Sequence, residues 1–252
     1  MIAVLENGRR YCNGTYFMPN DGPEQTRLNV IHQIYLILLD GRLTAAPVAL
    51  DTPRMRILDV GTGPGDWAIE MGTAYPDAAI TASEIGVFEH GLGHVGLPNV
   101  YFQLDDARDE WAYTDGPFDL IHLRGLAGAF PDWPFVCWQA FRHLAPGGYV
   151  GNADTDFSAD AVTSISANSY LRLFSALRSA TDSTGYPWDM SHLGSTVLSA
   201  EGFVDVDVYE YTFPLGLGPD TPRERTLGKK ALVALLEGLE AFSIRPLTAT
   251  YG

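Results

Sequence analysis

The sequence has 252 residues, and its 16 Lys and Arg against 31 Asp and Glu give a formal net charge of −15 at pH 7. Nucleic acids and anionic membranes require a basic face, so a chain this acidic is predicted to bind neither. Hydrophobic residues make up 46% of the chain, enough for a folded core, whereas its two cysteines are too few for a disulfide framework. No apolar run approaches the ~20 residues of a membrane span. We therefore expect a soluble cytoplasmic protein.

The predicted elements alternate between short apolar runs and helical patterns. In chain order the sequence predicts a helix over 23–39, a strand over 55–61, a helix over 66–75, strands over 78–85, 100–105 and 118–124, a helix over 132–144, a turn at 146–148 and a fifth strand directly after it. Further along it predicts helices over 158–180 and 190–201, a half-exposed strand over 203–213 and a helix over 222–243. Repeated strand–helix units predict an α/β fold with a doubly wound, mostly parallel sheet and helices on both faces.

The chain is expected to divide into two parts. Residues 1–50 are predicted to form an N-terminal helical lid over the carboxyl edge of the sheet, and residues 51–252 the domain that binds the ligand.

A glycine-rich loop follows the first strand of the predicted sheet and precedes a helix. It reads Gly61-Thr-Gly63-Pro-Gly65, and glycines let a ligand approach the backbone without a Cβ atom in the way. Ligands of open α/β sheets bind beyond the carboxyl ends of the strands, so the three glycines are predicted to contact a ligand. Asp59 precedes the loop and Asp66 stands where a dinucleotide fingerprint has its third glycine. Both would repel a pyrophosphate, which argues against NAD. The alternative is an ordinary strand–helix turn.

Acidic residues also end the next two strands of the predicted sheet. Glu84 lies where such folds place a carboxylate that accepts hydrogen bonds from both ribose hydroxyls. Asp106 and Ala107 follow the third strand and are predicted to meet adenine through a carboxylate and a backbone N–H, unless they form only a solvated acidic loop. Acidic groups suit a ligand with an ammonium, a sulfonium and ribose hydroxyls. That description fits S-adenosylmethionine (SAM), which we predict as the cofactor, and we predict no metal.

Polar residues near the expected substrate pocket are candidates for catalysis. Arg124 could hold the methionine carboxylate of SAM or form a structural ion pair. An oxygen or nitrogen acceptor needs a base, and we predict His122, Tyr16 and Asp154 for catalysis, with Asp156 and His192 as further candidates. The alternative for His122 is a buried histidine of the core.

These residues together resemble the class I SAM-dependent methyltransferases, in particular the fungal LaeA-like group linked to secondary metabolism. The segments that carry the resemblance are RILDVGTGPGDWAIE, LPNVYFQLDDARDEW, FDLIHLRGLAGAFPDWP, LAPGGYV and LLEGLEAFS. The resemblance implies a seven-stranded Rossmann-like sheet, SAM as ligand, and methylation of a small metabolite or a protein. It also implies a closing segment around Tyr16 and Arg27. The positions that it carries over as SAM contacts are Asp59, Gly61, Gly63, Glu84, Asp106 and Arg124.

Three departures from the group's pattern matter. Residues 84–87 read Glu-Ile-Gly-Val where the group has Asp-Leu-Ser-Pro, and Gly151 replaces a glutamate that we expect to face the substrate pocket. The sequence given ends at Gly252, before the group's last strand. Pro246 lacks a backbone donor and would leave only residues 248–251 to pair. We therefore expect a sheet that lacks its last strand, or one that a second subunit completes in a homodimer.

The leading hypothesis is a SAM-dependent methyltransferase that acts on a small secondary metabolite in a fungal biosynthetic pathway. The alternatives are a SAM-binding cyclase or pericyclase that does not methylate, and a non-catalytic regulatory partner of the LaeA type. Aromatic side chains near the expected mouth favour an apolar or aromatic substrate, with ordinary packing as the alternative. These are Tyr11, Tyr16, Phe17, Tyr35, Trp133, Tyr186 and Trp188.

Overall fold

The computed structural model describes residues 3–13, 16–88, 96–158, 161–162 and 168–251. Its strands are β1 (Val4–Glu6), β2 (Arg9–Tyr11), β3 (Arg56–Val60), β4 (Ala79–Glu84), β5 (Val100–Leu104), β6 (Phe118–Arg124) and β7 (Leu144–Ala153). Its helices are α1 (Gly22–Leu38), α2 (Asp66–Ala74), α3 (Trp133–His143), α4 (Asn168–Thr184), a 3₁₀ turn (Ser191–Leu193), α5 (Ser195–Ala200) and α6 (Pro222–Tyr251).

Five strands form one parallel sheet in the order β5–β4–β3–β6–β7, and β1 pairs with β2 in an antiparallel hairpin. The chain runs outward from β3 to β5, then returns to β6 beside β3 and continues to β7. The predicted doubly wound sheet is confirmed. Its switch point lies between β3 and β6, so the carboxyl ends of these two strands meet at the edge where such sheets bind ligands.

Helices cover both faces of the sheet, as predicted. On one face, Val136, Cys137 and Ala140 of α3 pack with Ile121 and Leu123 of β6. On the other face, α2 contributes a core of large side chains against β3 and β4; its members include Trp67, Met71, Ile57 and Ile80. Because both faces of the sheet are covered, adjacent residues that point to opposite faces are both buried, as are Ile57 and Leu58 in β3 and Leu120 and Ile121 in β6.

Helix α1 begins at a buried ion pair. The Asp21 side chain accepts a hydrogen bond from the Glu24 backbone N–H at 3.1 Å and so caps the helix. The Asp21 carboxylate also forms a salt bridge with Arg9 of β2, with 2.6 Å between Arg9 Nε and Asp21 Oδ2. Further along α1, Ile31 and Ile34 pack against α6. The hairpin, α1 and α6 therefore form one packed layer beside the carboxyl edge of the sheet.

The predicted strand over 203–213 is wrong, because these residues form no strand. Its alternating pattern is present, but Val204 is 80% exposed and Tyr209 is 62% exposed. A period of two shows which side chains would share a face and does not supply a neighbouring strand. The sheet of the described residues thus has five strands, two fewer than the resemblance implies.

The C-terminal segment also differs from its prediction. Helix α6 extends to Tyr251 instead of ending near 243, and Pro246 lies inside it. Residues 248–251, the only ones after Pro246 that the sequence left able to pair as a strand, are therefore helical. Pro246 and its neighbours Phe242 and Arg245 are buried, and this packing offsets the one helical hydrogen bond that proline removes.

Three other predicted elements differ from the structure. The predicted turn at 146–148 is a bulge within β7, because the partners of Phe118 and Leu120 in β7 are Leu144 and Tyr149. The helix predicted over 190–201 is split at Gly194 into the 3₁₀ turn and α5. Within the helix predicted over 158–180, α4 begins only at 168, and residues 159–160 and 163–167 lie outside the described residues. Across the described ranges, every helix is too short or too polar to cross a membrane.

Candidate active site

A cavity of about 170 Å³ lies at the carboxyl edge of the sheet, between the strand ends, α1 and α6. The glycine loop after β3, Glu84 at the end of β4 and Arg124 at the end of β6 form its floor. Residues 16–19, before α1, form part of the opposite wall. The edge of the sheet at which the topology predicts a ligand site therefore contains a cavity, and residues of the N-terminal segment line part of it.

The glycine loop brings its backbone to the cavity. Gly61, Gly63 and Gly65 all have positive φ, at 64°, 61° and 89°, a region that favours glycine. A Cβ atom at Gly61 would also lie 2.5 Å from the Leu126 side chain. Gly61 and Gly63 line the cavity, whereas Gly65 precedes the first turn of α2 and does not.

Two carboxylates stand on either side of this loop. Glu84 Oε2 accepts a hydrogen bond from the Gly63 N–H at 2.8 Å, and its Oε1 accepts one from the Ile85 N–H at 2.9 Å. Asp59 is buried, and its Oδ2 has no hydrogen-bond partner among the described residues. Burial raises the pKa of each carboxyl group to about 7. Both groups therefore gain from a ligand that brings hydrogen-bond donors or positive charge.

Arg124 lies in the cavity without an ion-pair partner in the described ranges. Its guanidinium carbon lies 5.0 Å from the ring centroid of Tyr35 in α1, and burial lowers the pKa of Arg124. Of the two alternatives for this residue, a structural ion pair is absent here. A buried guanidinium without a carboxylate is costly, so the cavity suits an anionic group at this point.

Asp106 lines the cavity, but its carboxylate already forms a salt bridge with Arg108. Arg108 donates through Nε to Asp106 Oδ1 at 2.8 Å and through Nη2 to Oδ2 at 2.6 Å, which lowers the pKa of Asp106. Arg108 Nη1 also donates to the Tyr186 hydroxyl at 2.9 Å. Ala107 lines the same part of the cavity. Sequence reasoning missed Arg108, which the spacing of two residues from Asp106 could have suggested.

His122 is not in the cavity, which corrects its predicted catalytic role. Its ring stacks on Trp67 with centroids 3.9 Å apart, and both ring nitrogens lack partners among the described residues. Burial lowers the pKa of His122 well below its usual value. The side chain points to the α2 face of the sheet, so the alternative of a buried core histidine describes it.

Gly151 also points away from the cavity. A Cβ atom there would lie 3.5 Å from Thr44 Oγ1 and 3.8 Å from His122 Nδ1, neither of which lines the cavity. The expectation that a glutamate at this position would face the substrate pocket is therefore wrong. Its replacement by glycine removes no acid from the cavity.

Of the remaining candidate bases, Tyr16 and Asp154 line the cavity. Burial raises the pKa of Tyr16 above its usual range, so its hydroxyl keeps its proton. Asp154 follows β7, and its carboxylate accepts hydrogen bonds from the Ala127 N–H at 2.7 Å and the Thr155 N–H at 2.8 Å. Asp156 is exposed and lies outside the cavity.

Aromatic side chains form much of the wall away from the glycine loop. The lining set contains Tyr16, Phe17, Tyr35, Phe88, Phe130, Phe157, Trp188 and Phe242. Of the aromatic residues predicted near the mouth, Tyr11, Trp133 and Tyr186 are not in this set. Phe242 was missed because it comes from α6, far away in the sequence.

The same wall holds a buried ion pair. Arg27 donates through Nε to Glu24 Oε2 at 2.8 Å and through Nη2 to Glu24 Oε1 at 2.7 Å. The Arg27 guanidinium carbon lies 5.1 Å from the Phe242 ring centroid. This wall is therefore apolar with one internally neutralised charge pair.

Comparison with known proteins identifies the family. Residues 27–200 match the family described as a methyltransferase domain. The chain belongs to this methyltransferase family. Over 98% of its length it is 33% identical to methyltransferase pytC of Aspergillus terreus, covering 76% of that protein. It is 32% identical to the secondary metabolism regulator LAE1 of Cochliobolus heterostrophus, covering 82%, and 28% identical to the protein-methionine methyltransferase laeA of Emericella nidulans, covering 66%.

The resemblance stated from the sequence is thereby confirmed, and the protein is a SAM-dependent methyltransferase. Its own residues fit that cofactor. The glycine loop leaves its backbone open to a ligand, because a side chain at Gly61 would clash with Leu126. Among the described residues, one carboxylate oxygen of Asp59 has no hydrogen-bond partner and Arg124 has no ion-pair partner. SAM carries hydroxyls, an ammonium and a carboxylate that complement these three features.

Proposed function

We propose that this methyltransferase holds SAM along the floor of the cavity and transfers its methyl group to a small aromatic metabolite. Glu84 accepts hydrogen bonds from the ribose hydroxyls, Asp59 attracts the ammonium, and Arg124 binds the methionine carboxylate. Asp106 and the backbone at Ala107 meet the adenine. The observation that carries the proposal is that Asp59, with an oxygen that lacks a partner among the described residues, lies at the same sheet edge as Glu84 and as Arg124, which has no ion-pair partner in the described ranges.

Bound SAM supplies a methyl group that its sulfonium already activates, so the protein's main task is to position the acceptor. The wall opposite the glycine loop offers Phe17, Trp188 and Phe242, which favour a flat apolar acceptor. The relative pytC is named a methyltransferase, and LAE1 is named a regulator of secondary metabolism. The first name supports methyl transfer, and the second supports a role connected with fungal secondary metabolism. The homodimer and the cytoplasmic location remain predictions.

Calorimetry with S-adenosylhomocysteine (SAH) tests the cofactor part of the proposal. Wild type is expected to bind at micromolar Kd, and Arg124→Met is expected to weaken binding roughly 10- to 100-fold by removing a charge-assisted contact. Arg172→Met is the matched control, because Arg172 is an exposed arginine on α4 away from the cavity. Equal Kd values for all three proteins would contradict the assignment of Arg124.

Transfer of labelled methyl from SAM tests the acceptor. We expect label in small phenols and related aromatic metabolites, and no label in the protein fraction of a lysate. Label found only in protein would replace the small-molecule proposal with a protein acceptor. Conversion of a pathway metabolite without label transfer would support the cyclase alternative.

A further inference from the structure

The carboxylate of Asp154 meets a buried histidine on the side away from the cavity. His192 lies in the 3₁₀ turn after α4, is 1% exposed, and places Nε2 3.5 Å from Asp154 Oδ2. Its own backbone carbonyl accepts a hydrogen bond from Asn152 Nδ2 at 3.2 Å, which ties the turn to β7. Asp154 lines the cavity and His192 does not, so His192 reaches the cavity only through Asp154.

The surroundings of His192 determine which ring nitrogen carries a proton. Nδ1 lies 3.1 Å from the backbone carbonyl oxygen of Asp189. A carbonyl oxygen only accepts, so Nδ1 must be the donor. The ring also stacks on Trp133, with centroids 4.1 Å apart and planes 13° from parallel, which fixes the plane of the ring. In neutral His192 the Nε2 lone pair therefore faces the Asp154 carboxylate.

Two acceptors that face each other in a buried site repel, and one added proton converts the repulsion into an ion pair. We propose that Asp154 and His192 form a proton-accepting pair, and that the methyl acceptor bears an O–H group. The inference rests on the proposed function, because it names the acceptor chemistry of the same cavity. The proton that the pair accepts belongs to the two residues together.

As the acceptor oxygen bonds to the methyl carbon, the acceptor O–H bond breaks and its proton moves to Asp154. The proton then lies on His192 Nε2, beside the Asp154 carboxylate, so the facing atoms of the pair carry one proton in total. Solvent later removes this proton. The electron pair of the former methyl–sulfur bond stays on sulfur. A thioether acceptor has no proton to lose, so the pair would have no role with one.

Charged and titratable groups on neighbouring elements also interact with the pair. Arg27 and Tyr35 of α1 face Asp154, and the Asp189 carboxylate faces His192. Arg27 is already neutralised by Glu24 through two hydrogen bonds. Asp154 and His192 are in direct reach of each other, with 3.5 Å between Asp154 Oδ2 and His192 Nε2.

Nitrogen NMR of the full chain labelled with ¹⁵N-histidine tests the pair without any ligand. His192→Gln assigns the signal. We expect Nδ1 to be protonated, and we expect the Nε2 signal to differ between wild type and Asp154→Asn, because Nε2 faces the Asp154 carboxylate at 3.5 Å. An Nε2 signal that is the same in the two proteins, or an unprotonated Nδ1, would overturn the proposal.

Kinetics with a phenolic acceptor give a second readout. His192→Gln keeps a donor near Asp154 but cannot take up a proton, so we expect kcat at pH 7 to fall at least tenfold and its pH dependence to flatten. His143→Gln on α3 is the control and should change neither, and SAH Kd should stay within twofold in both variants. An unchanged pH profile in His192→Gln refutes the pair. Absence of SAH binding in wild type instead refutes the proposed function, and the NMR result still decides the pair.

Discussion

The carboxylate of Glu84 accepts a hydrogen bond from the backbone N–H of Gly63 at 2.8 Å, which ties the end of β4 to the loop after β3. The bond leaves further lone pairs of Glu84 directed at the cavity. It also keeps the glycine loop against the neighbouring strand. The Glu84 side chain therefore both holds the glycine loop in place and offers hydrogen-bond acceptors to a ribose.

Removal of this carboxylate is expected to weaken cofactor binding. In Glu84→Ala the ribose hydroxyls lose a charged acceptor, a loss of about 1–3 kcal/mol, or roughly 5- to 150-fold in Kd. Calorimetry with SAH measures it, and Glu237→Ala on the exposed side of α6 is the matched control. Equal affinities in wild type and Glu84→Ala would contradict the ribose assignment.

The binding of SAH is expected to depend on pH near neutrality. Burial raises the pKa of Asp59 and of Glu84 to about 7, and only the ionised groups attract an ammonium or accept from hydroxyls. Lowering the pH from 8 to 6 protonates them, so Kd should rise roughly 10- to 100-fold. Calorimetry across this range checks the slope. The slope should be smaller in Asp59→Asn, and a flat wild-type profile would show that neither group titrates there.

His122→Phe should leave methyl transfer unchanged. Phenylalanine preserves stacking on Trp67 and removes two buried nitrogens that have no partners in the described part of the chain. We therefore expect wild-type kcat and SAH affinity, with a melting temperature equal to or above that of wild type. A folded variant whose kcat falls a hundredfold would show that His122 does act in catalysis.

Gly86 is expected to be intolerant of any side chain. A Cβ atom there would lie 2.2 Å from Cys12 Cβ and 3.4 Å from Cys12 Cα, so the N-terminal segment would have to shift. Gly86→Ala should lower the free energy of unfolding by about 1–3 kcal/mol in urea. A Cβ atom at Gly96 meets none of the described residues within 4 Å, so Gly96→Ala serves as the control. Equal stability of both variants would show that Cys12 can move aside freely.

The Gly86 contact also explains a departure seen in the sequence. The resembled group has serine at this position, and here glycine admits the buried Cys12 against the loop after β4. The sequence alone showed the departure without its cause, because residues 12 and 86 meet only in the folded chain. The same limit applies to Phe242, which reaches the cavity from α6.

Short-range patterns in the sequence determined the sheet, its parallel order, the glycine loop and the acids at the strand ends, because these depend on local periodicity and on backbone conformations that few residues tolerate. Only the tertiary structure decided what each polar side chain faces. His122 lies inside β6 and stacks on Trp67, whereas Arg124 is the last residue of that strand and enters the cavity. The alternating segment 203–213 likewise remained unpaired, because a strand needs a partner that local pattern cannot provide.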